Sequence, residues 1–254
     1  MSELLKKQNY GVEVEFTGIT RKMAAKAVAE VLGSTVSAPD HTCYQTRTIR
    51  DSQGRKWKVM RDSSIQPIRK VGNDVTDEYK VEFVTPILAY KDLETLQAII
   101  RKFREVGGVP HSSCGIHIHV DGANHTATSL RRLVNFMYSR QEIIYDALAV
   151  GSRKNRWCLP VCKNLLDTMK KDKNITTDSV EKIWYSPAND GYCGGIDHQH
   201  YNSTRYHALN LHSFFRRELL NLDFLIARSM QEKLKHTCNF ALQSLLGPLK
   251  PMIK

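Results

Sequence analysis

Acidic and imidazole side chains at alternate positions are the first feature of this sequence that could do chemistry. Three segments carry them: NYGVEVEF with Glu13 and Glu15, VEFV with Glu82, and GIHIHV with His117 and His119. Residues two apart lie on one face of a strand, about 7 Å from each other. Buried carboxylates are costly unless they are paired or hold a cation. Together these side chains would suit Mg²⁺ or Mn²⁺, which prefer carboxylate oxygens and bridge phosphate oxygens.

Each of these segments also has a plain structural interpretation. An antiparallel strand with one face in water alternates apolar and polar residues by default. Glu13 and Glu15, and equally His117 and His119, could therefore form solvated faces. Their joint occurrence with Glu82 is what favours a metal site.

Four further polar residues are candidates for a site. Asp62 follows the segment WKVMR, where capping a turn is its plain role. Arg153, Arg156 and Arg205 could hold phosphate or carboxylate through bidentate hydrogen bonds, although solvation is the ordinary role of any single surface arginine.

A competing metal site would use thiolates. Its ligands would be Cys158, Cys162, Cys193, His198 and His200, but their spacing is not that of a standard zinc site. We expect the cysteines to be free thiols, and the loop that holds both histidines to border a pocket as a polar lid.

The elements that must position these residues follow from the same patterns. Alternation predicts strands at 9–16, 43–50, 56–61, 78–85, 115–120 and 204–213. Helical periodicity predicts helices from Thr20 to Gly33, over 90–106 and over about 127–149, with two short helices within 151–200. We therefore expect one α+β domain: a largely antiparallel sheet with a concave active face and helices packed on its other side.

Composition limits the function classes. The 254 residues are 41% hydrophobic and 25% charged, which is ordinary for a globular protein. No apolar run approaches the roughly 18 residues of a membrane span, and the first residues lack a secretory signal, so we expect a cytoplasmic protein away from membranes. The net charge of +11 suggests a polyanionic partner, either nucleic acid or a nucleoside triphosphate, or simply a solvated surface.

The order of the polar segments carries a resemblance. Five blocks follow one another: Gly11–Glu15, Trp57–Ser63, Val81–Pro86, Cys114–Val120 and Arg205–Leu211. Over about residues 9–215 the chain resembles the putative amidoligase family, which has the carboxylate–amine ligase fold of glutamine synthetase and glutamate–cysteine ligase. The resemblance implies that ATP phosphorylates a carboxylate and that an amine then attacks the acyl phosphate, with two or three Mg²⁺ neutralising phosphate charge.

The resemblance also implies roles for individual residues. The metal ligands would be Glu13, Glu15, Glu82 and His117, and His119 would lie nearer the nucleotide phosphates, where we also expect Arg153, Arg156 and Arg205. The substrate and phosphate side would be lined by Arg205, Tyr206 and Asn210, and the active site also by Asp62. The carboxylate and amine substrates stay open, a peptide or protein among them. A γ-glutamyl cyclotransferase-like protein is an expected partner.

The chain departs from the family pattern after Arg217. Members should follow R-Y-x-x-L-N with a strand similar to G-T-V-E-F-R, whose Glu completes a metal site, but here the sequence continues ELLNLDF. Codons permitted for residues 218–243 spell G-T-V-E-F-R and a plausible next helix in the neighbouring reading frame. We therefore predict a catalytic domain over 1–217 and an out-of-frame tail over 218–254. The alternative is a genuine C-terminal helix over 218–246.

This departure predicts weak activity or none, because one metal would lose a ligand. It also predicts unpaired backbone groups on the neighbouring strand. Two other functions compete with the ligase. A basic nucleic-acid-binding module would need clustered cations with exposed aromatic residues, and we consider nucleic acid a poor fit to such acidic strands. A metal-dependent hydrolase could use the same Glu and His residues without ATP.

Overall fold

The structure is a computed structural model that describes residues 7–68, 75–148 and 150–224. They fall into two compact units, which we call the amino-terminal unit (described residues 9–68 and 75–117) and the carboxy-terminal unit (7–8, 118–148 and 150–224). The fold class is α+β with antiparallel strand pairs, as expected. The predicted division at residue 217 stays a prediction.

The amino-terminal unit is built on an antiparallel sheet. Its strands are β1 (Tyr10–Phe16), β2 (Arg47–Arg50), β3 (Lys56–Met60) and β4 (Val81–Val84), in the order β2-β3-β4-β1. Each was expected, although β2 and β4 are shorter than the alternation predicted. A turn at 51–54 joins β2 to β3, and there the Asp51 carboxylate accepts the backbone N–H groups of Gln53 and Arg55.

Two helices cover the apolar face of this sheet. Helix α1 (Arg21–Leu32) begins at Thr20, whose hydroxyl accepts the Met23 N–H, and ends at Gly33 with φ of 61°. Helix α2 (Leu93–Glu105) inserts Phe103 against the sheet, with its ring 4.7 Å from that of Phe16 and 5.1 Å from that of Phe83. Burying side chains of this size stabilises the fold by about 2–3 kcal/mol each. The opposite face is thereby left for polar groups.

The end of β1 requires a glycine. Gly18 has φ of 87°, and a Cβ there would lie 2.7 Å from the Gly107 carbonyl oxygen. The neighbouring Thr17 exchanges backbone hydrogen bonds with Val109. This close approach fixes the course of the chain just after β1, at a glycine three residues beyond Glu15.

The carboxy-terminal unit combines four helices with short strands. Helix α3 (Ala127–Leu148) packs against α4 (Lys163–Lys171) and α5 (Thr177–Trp184). Strand β5 (Ile116–Asp121) begins in the amino-terminal unit and ends in this one. The remaining elements are β6 (Leu209–Asn210), α6 (His212–Arg217) and β7 (Leu219–Phe224), and the strand order is β5-β7-β6.

The strand predicted over 204–213 is wrong for most of its length. A 3₁₀ turn covers Ser203–Tyr206 because the Asn202 side chain accepts the Thr204 N–H. The Asn210 side chain then accepts the Ser213 N–H at 3.1 Å, which favours helix α6. Side chain to backbone hydrogen bonds of this kind compete with strand pairing.

The chain does form a strand after Arg217. Strand β7 pairs antiparallel with β6, with Leu209 opposite Leu222 and Asn210 opposite Asn221. The expectation of an unpaired neighbouring strand is therefore wrong here, as is the alternative of a helix at 219–224. Residues 225–254, which hold the rest of the predicted out-of-frame tail, lie outside the described residues. Among the helices that the structure describes, none has the length and apolar character needed to cross a membrane.

Candidate functional site

Strand register places the predicted acidic residues on the face of the amino-terminal sheet that lies opposite the helices. Glu15 of β1 lies directly opposite Glu82 of β4, and Glu13 lies opposite Val84. Their neighbours Val14 and Phe83 face the helices and are fully buried. The alternation in the sequence therefore separates an apolar face from an acidic face.

Three carboxylates converge on this face. Ligand oxygens of Glu15, Asp62 and Glu82 all lie within 4.8 Å of one another, and we call these three residues the acidic cluster. Among the described residues this is the one group of three or more His, Cys, Asp or Glu side chains that meets that distance. Asp62 was expected only to line the site, and the structure places its carboxylate close to those of Glu15 and Glu82.

Backbone N–H groups orient two members of the cluster. Gly115 N–H donates to Glu15 Oε2 at 2.7 Å, and Ser64 N–H donates to Asp62 Oδ1 at 2.6 Å. The turn-capping role of Asp62 and its place in the cluster are thus compatible. His117 Nε2 lies 3.3 Å from Glu15 Oε1, so this histidine contacts the cluster through Glu15.

The electrostatics of the cluster favour a bound cation. The pKa of Glu82 is raised from 4.5 to about 8, chiefly by burial and then by the surrounding carboxylates, Glu13 first among them. Like charges that are held this close cannot all ionise without a positive partner. Either a proton or a metal ion resolves the conflict, and three carboxylate donors fit Mg²⁺ or Mn²⁺ better than softer metals.

The sequence interpretation overlooked Lys58. This exposed residue of β3 lies opposite Val84, which in turn lies opposite Glu13, so Lys58 and Glu13 stand in one cross-strand row. Trp57 and Val59, both fully buried, were the signal that could have placed Lys58 on the acidic face. A lysine there could bind a phosphate or carboxylate oxygen.

In the carboxy-terminal unit, two arginine side chains lie close to aromatic rings. The Arg156 guanidinium lies 4.7 Å from the Trp157 ring centroid, and the Trp157 ring meets Tyr206 edge-on at 5.1 Å. The Arg205 guanidinium lies 5.5 Å from the ring centroid of Tyr201 and 5.6 Å from that of Tyr206. We call these five residues the arginine–aromatic surface.

Two rings of this surface are accessible. Tyr201 is 75% exposed and Trp157 is 37% exposed. Tyr201 also stacks on His200, with ring centroids 4.6 Å apart. Exposed aromatic faces flanked by guanidinium groups suit planar or anionic ligands.

A comparison with models of protein families shows which family this chain belongs to. The profile of the family described as "putative amidoligase enzyme" matches residues 6–219, which is most of the chain. The chain belongs to the putative amidoligase family. Searches among curated proteins and among solved structures return no match. The membership makes this chain a ligase-type protein at a general level.

The other residues expected from amidoligase resemblance have varied surroundings. Asn210 is buried and its side-chain oxygen accepts the Ser213 N–H, so that oxygen supports helix α6. His119 is half-buried on β5, two residues after His117. The Arg153 carbonyl accepts N–H groups from Arg156, Trp157 and Cys158, which holds the 3₁₀ turn Gly151–Asn155 against the next residues.

The proposed thiolate ligands serve other contacts in this amidoligase-family chain. The Cys162 thiol accepts the Leu165 N–H at the start of α4, Cys158 is buried and Cys193 is exposed. His198 Nε2 lies 2.6 Å from Glu181 Oε1. No three ligand atoms from the five candidate zinc residues come within 4.8 Å of one another in the described part of the chain. The five described cysteines are free thiols, and Cys238 lies outside the described residues.

Proposed function

We propose that this protein is an ATP-dependent carboxylate–amine ligase. The observation that carries the proposal is the acidic cluster, in which three half-buried or buried carboxylates meet with a glutamate whose pKa is strongly raised. Family membership supports ligase chemistry. The substrates would be a carboxylate and an amine, a peptide or protein among the choices, with a γ-glutamyl cyclotransferase-like protein as a functional partner in the cytoplasm.

In this proposal Glu15, Asp62 and Glu82 hold Mg²⁺, with Glu13 and His117 at the edge of the set. Bound Mg²⁺ would neutralise phosphate oxygens during phosphoryl transfer. The γ-phosphoryl group of ATP passes to a carboxylate oxygen and ADP leaves. The amine then attacks the acyl carbon, phosphate leaves with the C–O bond electrons, and the amine loses a proton.

The carboxy-terminal unit has its own candidates for binding phosphate or carboxylate groups. Arg156 and Arg205, with Arg153 and His119, would bind phosphate or carboxylate oxygens, and Trp157 or Tyr201 would offer a stacking face to a base. The Arg205 guanidinium lies 5.6 Å from the Tyr206 ring centroid and donates to the His200 carbonyl at 2.9 Å. Guanidinium groups held by rings keep their donors directed, which favours bidentate contacts.

A trapping assay tests the ligase chemistry. Purified protein is incubated with ATP, Mg²⁺, hydroxylamine and a panel of carboxylates, and hydroxamate and ADP are measured. We expect ADP and hydroxamate in equal amounts, because hydroxylamine intercepts an acyl phosphate. Carboxylate labelled with ¹⁸O should pass label to phosphate. Release of pyrophosphate, or metal-dependent hydrolysis without ATP, would contradict the proposal.

We also propose that the chain as written is a weak ligase, since β7 lacks the glutamate expected there. In the neighbouring reading frame that glutamate falls at position 221, which pairs with Asn210 in the sheet. Asn221→Glu should therefore strengthen Mn²⁺ binding and raise ATP turnover, and Asn221→Gln is the control of matched size. Equal activity of both variants and the original would contradict this assignment. The gene sequence tests the frame directly.

A second candidate function is binding of single-stranded nucleic acid. The arginine–aromatic surface favours it, because exposed rings beside guanidinium groups are what such binding requires. Filter binding at two salt concentrations distinguishes the candidates. Affinity that falls steeply with salt and requires Tyr201 would support this function over the ligase.

A further inference from the structure

Positively charged side chains share one face of the amino-terminal sheet with the acidic cluster. Lys58 of β3 lies opposite Val84 of β4, which in turn lies opposite Glu13 of β1. Lys56, two residues before Lys58, lies opposite Arg50 of β2. Because alternate residues of a strand share a face, the strand carboxylates of this face lie on β1 and β4, and its strand cations lie on β2 and β3.

Strand register brings Lys58 within reach of the acidic cluster. Met60, two residues after Lys58, lies directly opposite Glu82, so Lys58 and Glu82 are diagonal neighbours on paired strands. Diagonal neighbours on one face lie about 7–8 Å apart, a distance that long side chains can span. Lys56 is farther from Glu82 by two more residues, or about 7 Å along the strand.

Lys58 does not neutralise the carboxylates near it. Its ammonium forms no hydrogen bond and no ion pair with any residue in the described part of the chain. Its direct cross-strand neighbours, Thr48 and Val84, carry no charge. Among the groups that act most strongly on the pKa of Glu82, His117 lowers it, whereas burial and three carboxylates raise it. The charge of Lys58 is therefore available to a ligand.

The carboxylates determine when an anion could bind Lys58. Glu13, Glu15, Asp62 and Glu82 would repel an anion as long as no cation is bound among them. A divalent cation in the acidic cluster removes much of that repulsion, since it offsets their negative charge. An anion at Lys58 and a metal ion in the cluster should therefore bind cooperatively.

We propose that Lys58 binds an oxyanion, a phosphoryl or carboxylate group of the ligand, together with the metal ion held by the acidic cluster. Lys58 has this role only if the cluster binds a metal, so the assignment rests on the proposed function. A lysine suits it because the ammonium is a compact, mobile charge with three donors. In the ligase this contact would orient a substrate oxygen and stabilise the negative charge that accumulates there.

Electron paramagnetic resonance of Mn²⁺ tests this role without any need for ATP turnover. The full chain is titrated with Mn²⁺ alone, with methylphosphonate and with acetate, and titrations without protein correct for Mn²⁺ that the anions bind in solution. We expect an anion to raise the affinity for Mn²⁺ about tenfold. The more effective anion shows whether phosphoryl or carboxylate oxygen is preferred. Acetamide, neutral and similar in size to acetate, should have no effect.

Lys58→Gln should change the affinity for Mn²⁺ in opposite directions under the two conditions. Without an anion it should bind Mn²⁺ up to about threefold more tightly than the original protein, since a repelling charge is removed. With the anion it should lose most of the tenfold gain, which Lys58→Arg should keep. Lys56→Gln is the matched control and should also keep the gain, because Lys56 is an exposed lysine on the same strand face but farther from Glu82.

Three outcomes would overturn the role of Lys58. Equal loss of the gain in Lys56→Gln and Lys58→Gln, with both variants folded by circular dichroism, would mean that net charge alone attracts the anion. Mn²⁺ binding that neither anion strengthens would exclude the role and leave the metal site intact. Absence of Mn²⁺ binding under every condition would overturn both. Coupled binding without hydroxamate in the trapping assay would instead contradict the ligase alone.

Discussion

The acidic cluster and the arginine–aromatic surface differ in how their charged groups are compensated. Glu15 and Glu82 stand on paired strands, are largely withdrawn from water, and face each other as like charges. Arg156 and Arg205 stand on turns, and each cation lies over an aromatic ring. In the acidic cluster, carboxylates repel one another when no cation is bound. In the arginine–aromatic surface, each guanidinium group already has a favourable contact with a ring.

This difference shows what each region can contribute. A strained group of carboxylates is stabilised by a cation, which is why we propose that this region binds a metal ion. A satisfied and exposed surface of rings and guanidinium groups can exchange its internal contacts for a ligand at little cost. The predictions below test that contrast, from the largest expected effect to the smallest.

Removing one carboxylate from the cluster should have the largest effect. We expect Glu15→Gln to lower Mn²⁺ affinity and ATP turnover by about 100-fold or more, because a ligand and the charge oriented by Gly115 are both lost. Electron paramagnetic resonance of Mn²⁺ gives the affinity. Glu94→Gln is the control, an exposed glutamate on α2 in the same unit. Equal metal binding by both variants would break the contrast between the two regions.

The cluster should also cost stability when no metal is bound. The pKa of Glu82 is about 8 in the folded protein, against an ordinary value of 4.5 for an exposed glutamate. Between these two pH values the folded state binds more protons than the unfolded state, so the stability of the metal-free protein falls as pH rises. Glu82→Gln should therefore raise the melting temperature at pH 8, by about 2–4 °C for each kcal/mol recovered, with little change near pH 4.5. Mg²⁺ should stabilise the original protein and not the variant. A melting temperature of Glu82→Gln below that of the original at pH 8 would contradict strain in the cluster.

Loss of a ring from the arginine–aromatic surface should affect binding and leave stability unchanged. Tyr201 is 75% exposed, so Tyr201→Ala should leave the melting temperature within about 1 °C. In the ligase proposal it should raise KM for ATP about tenfold, since a stacked base loses its partner. Tyr201→Phe keeps the ring and should retain the original KM. If Tyr201→Ala changed stability instead, the surface would be structural.

The smallest effect should come from a buried histidine of the carboxy-terminal unit. Burial lowers the pKa of His125 to about 4, and its Nδ1 lies 3.1 Å from the Ser129 hydroxyl. The unfolded state therefore binds more protons between about pH 6.5 and 4, and stability falls as pH falls, opposite to the effect of Glu82. His125→Gln should reduce the loss of unfolding free energy between about pH 6.5 and 4, by on the order of 1 kcal/mol. Urea unfolding at several pH values measures this loss. An unchanged slope would assign the acid sensitivity to other groups.

Sequence patterns predicted the amino-terminal sheet well because its strands alternate. Trp57, Val59 and Phe83 mark one face, and burial of that face leaves Glu15 and Glu82 on the other. The ends of α1 could also be predicted from the sequence, because Thr20 and Gly33 act through local backbone geometry. Local rules are sufficient wherever a residue's partner lies a few positions away.

The alternation of apolar and polar residues gave a wrong prediction where side chains, and not a neighbouring strand, bind the backbone N–H groups. Residues 204–213 alternate well enough to predict a strand, but Asn202 and Asn210 bind nearby N–H groups and form turns and a helix instead. Strand β7 was missed for a related reason, because apolar residues at helical intervals do not reveal a strand that the sheet completes. Tertiary context decided both segments.

The sequence by itself determined the two-faced strands, the helix ends and the family, because alternation and short-range caps are encoded in consecutive residues. Only the tertiary structure joined Asp62 to Glu15 and Glu82 and set Lys58 in a row with Glu13. Those contacts join residues far apart along the chain. Their geometry depends on strand register and loop closure, which no local pattern specifies.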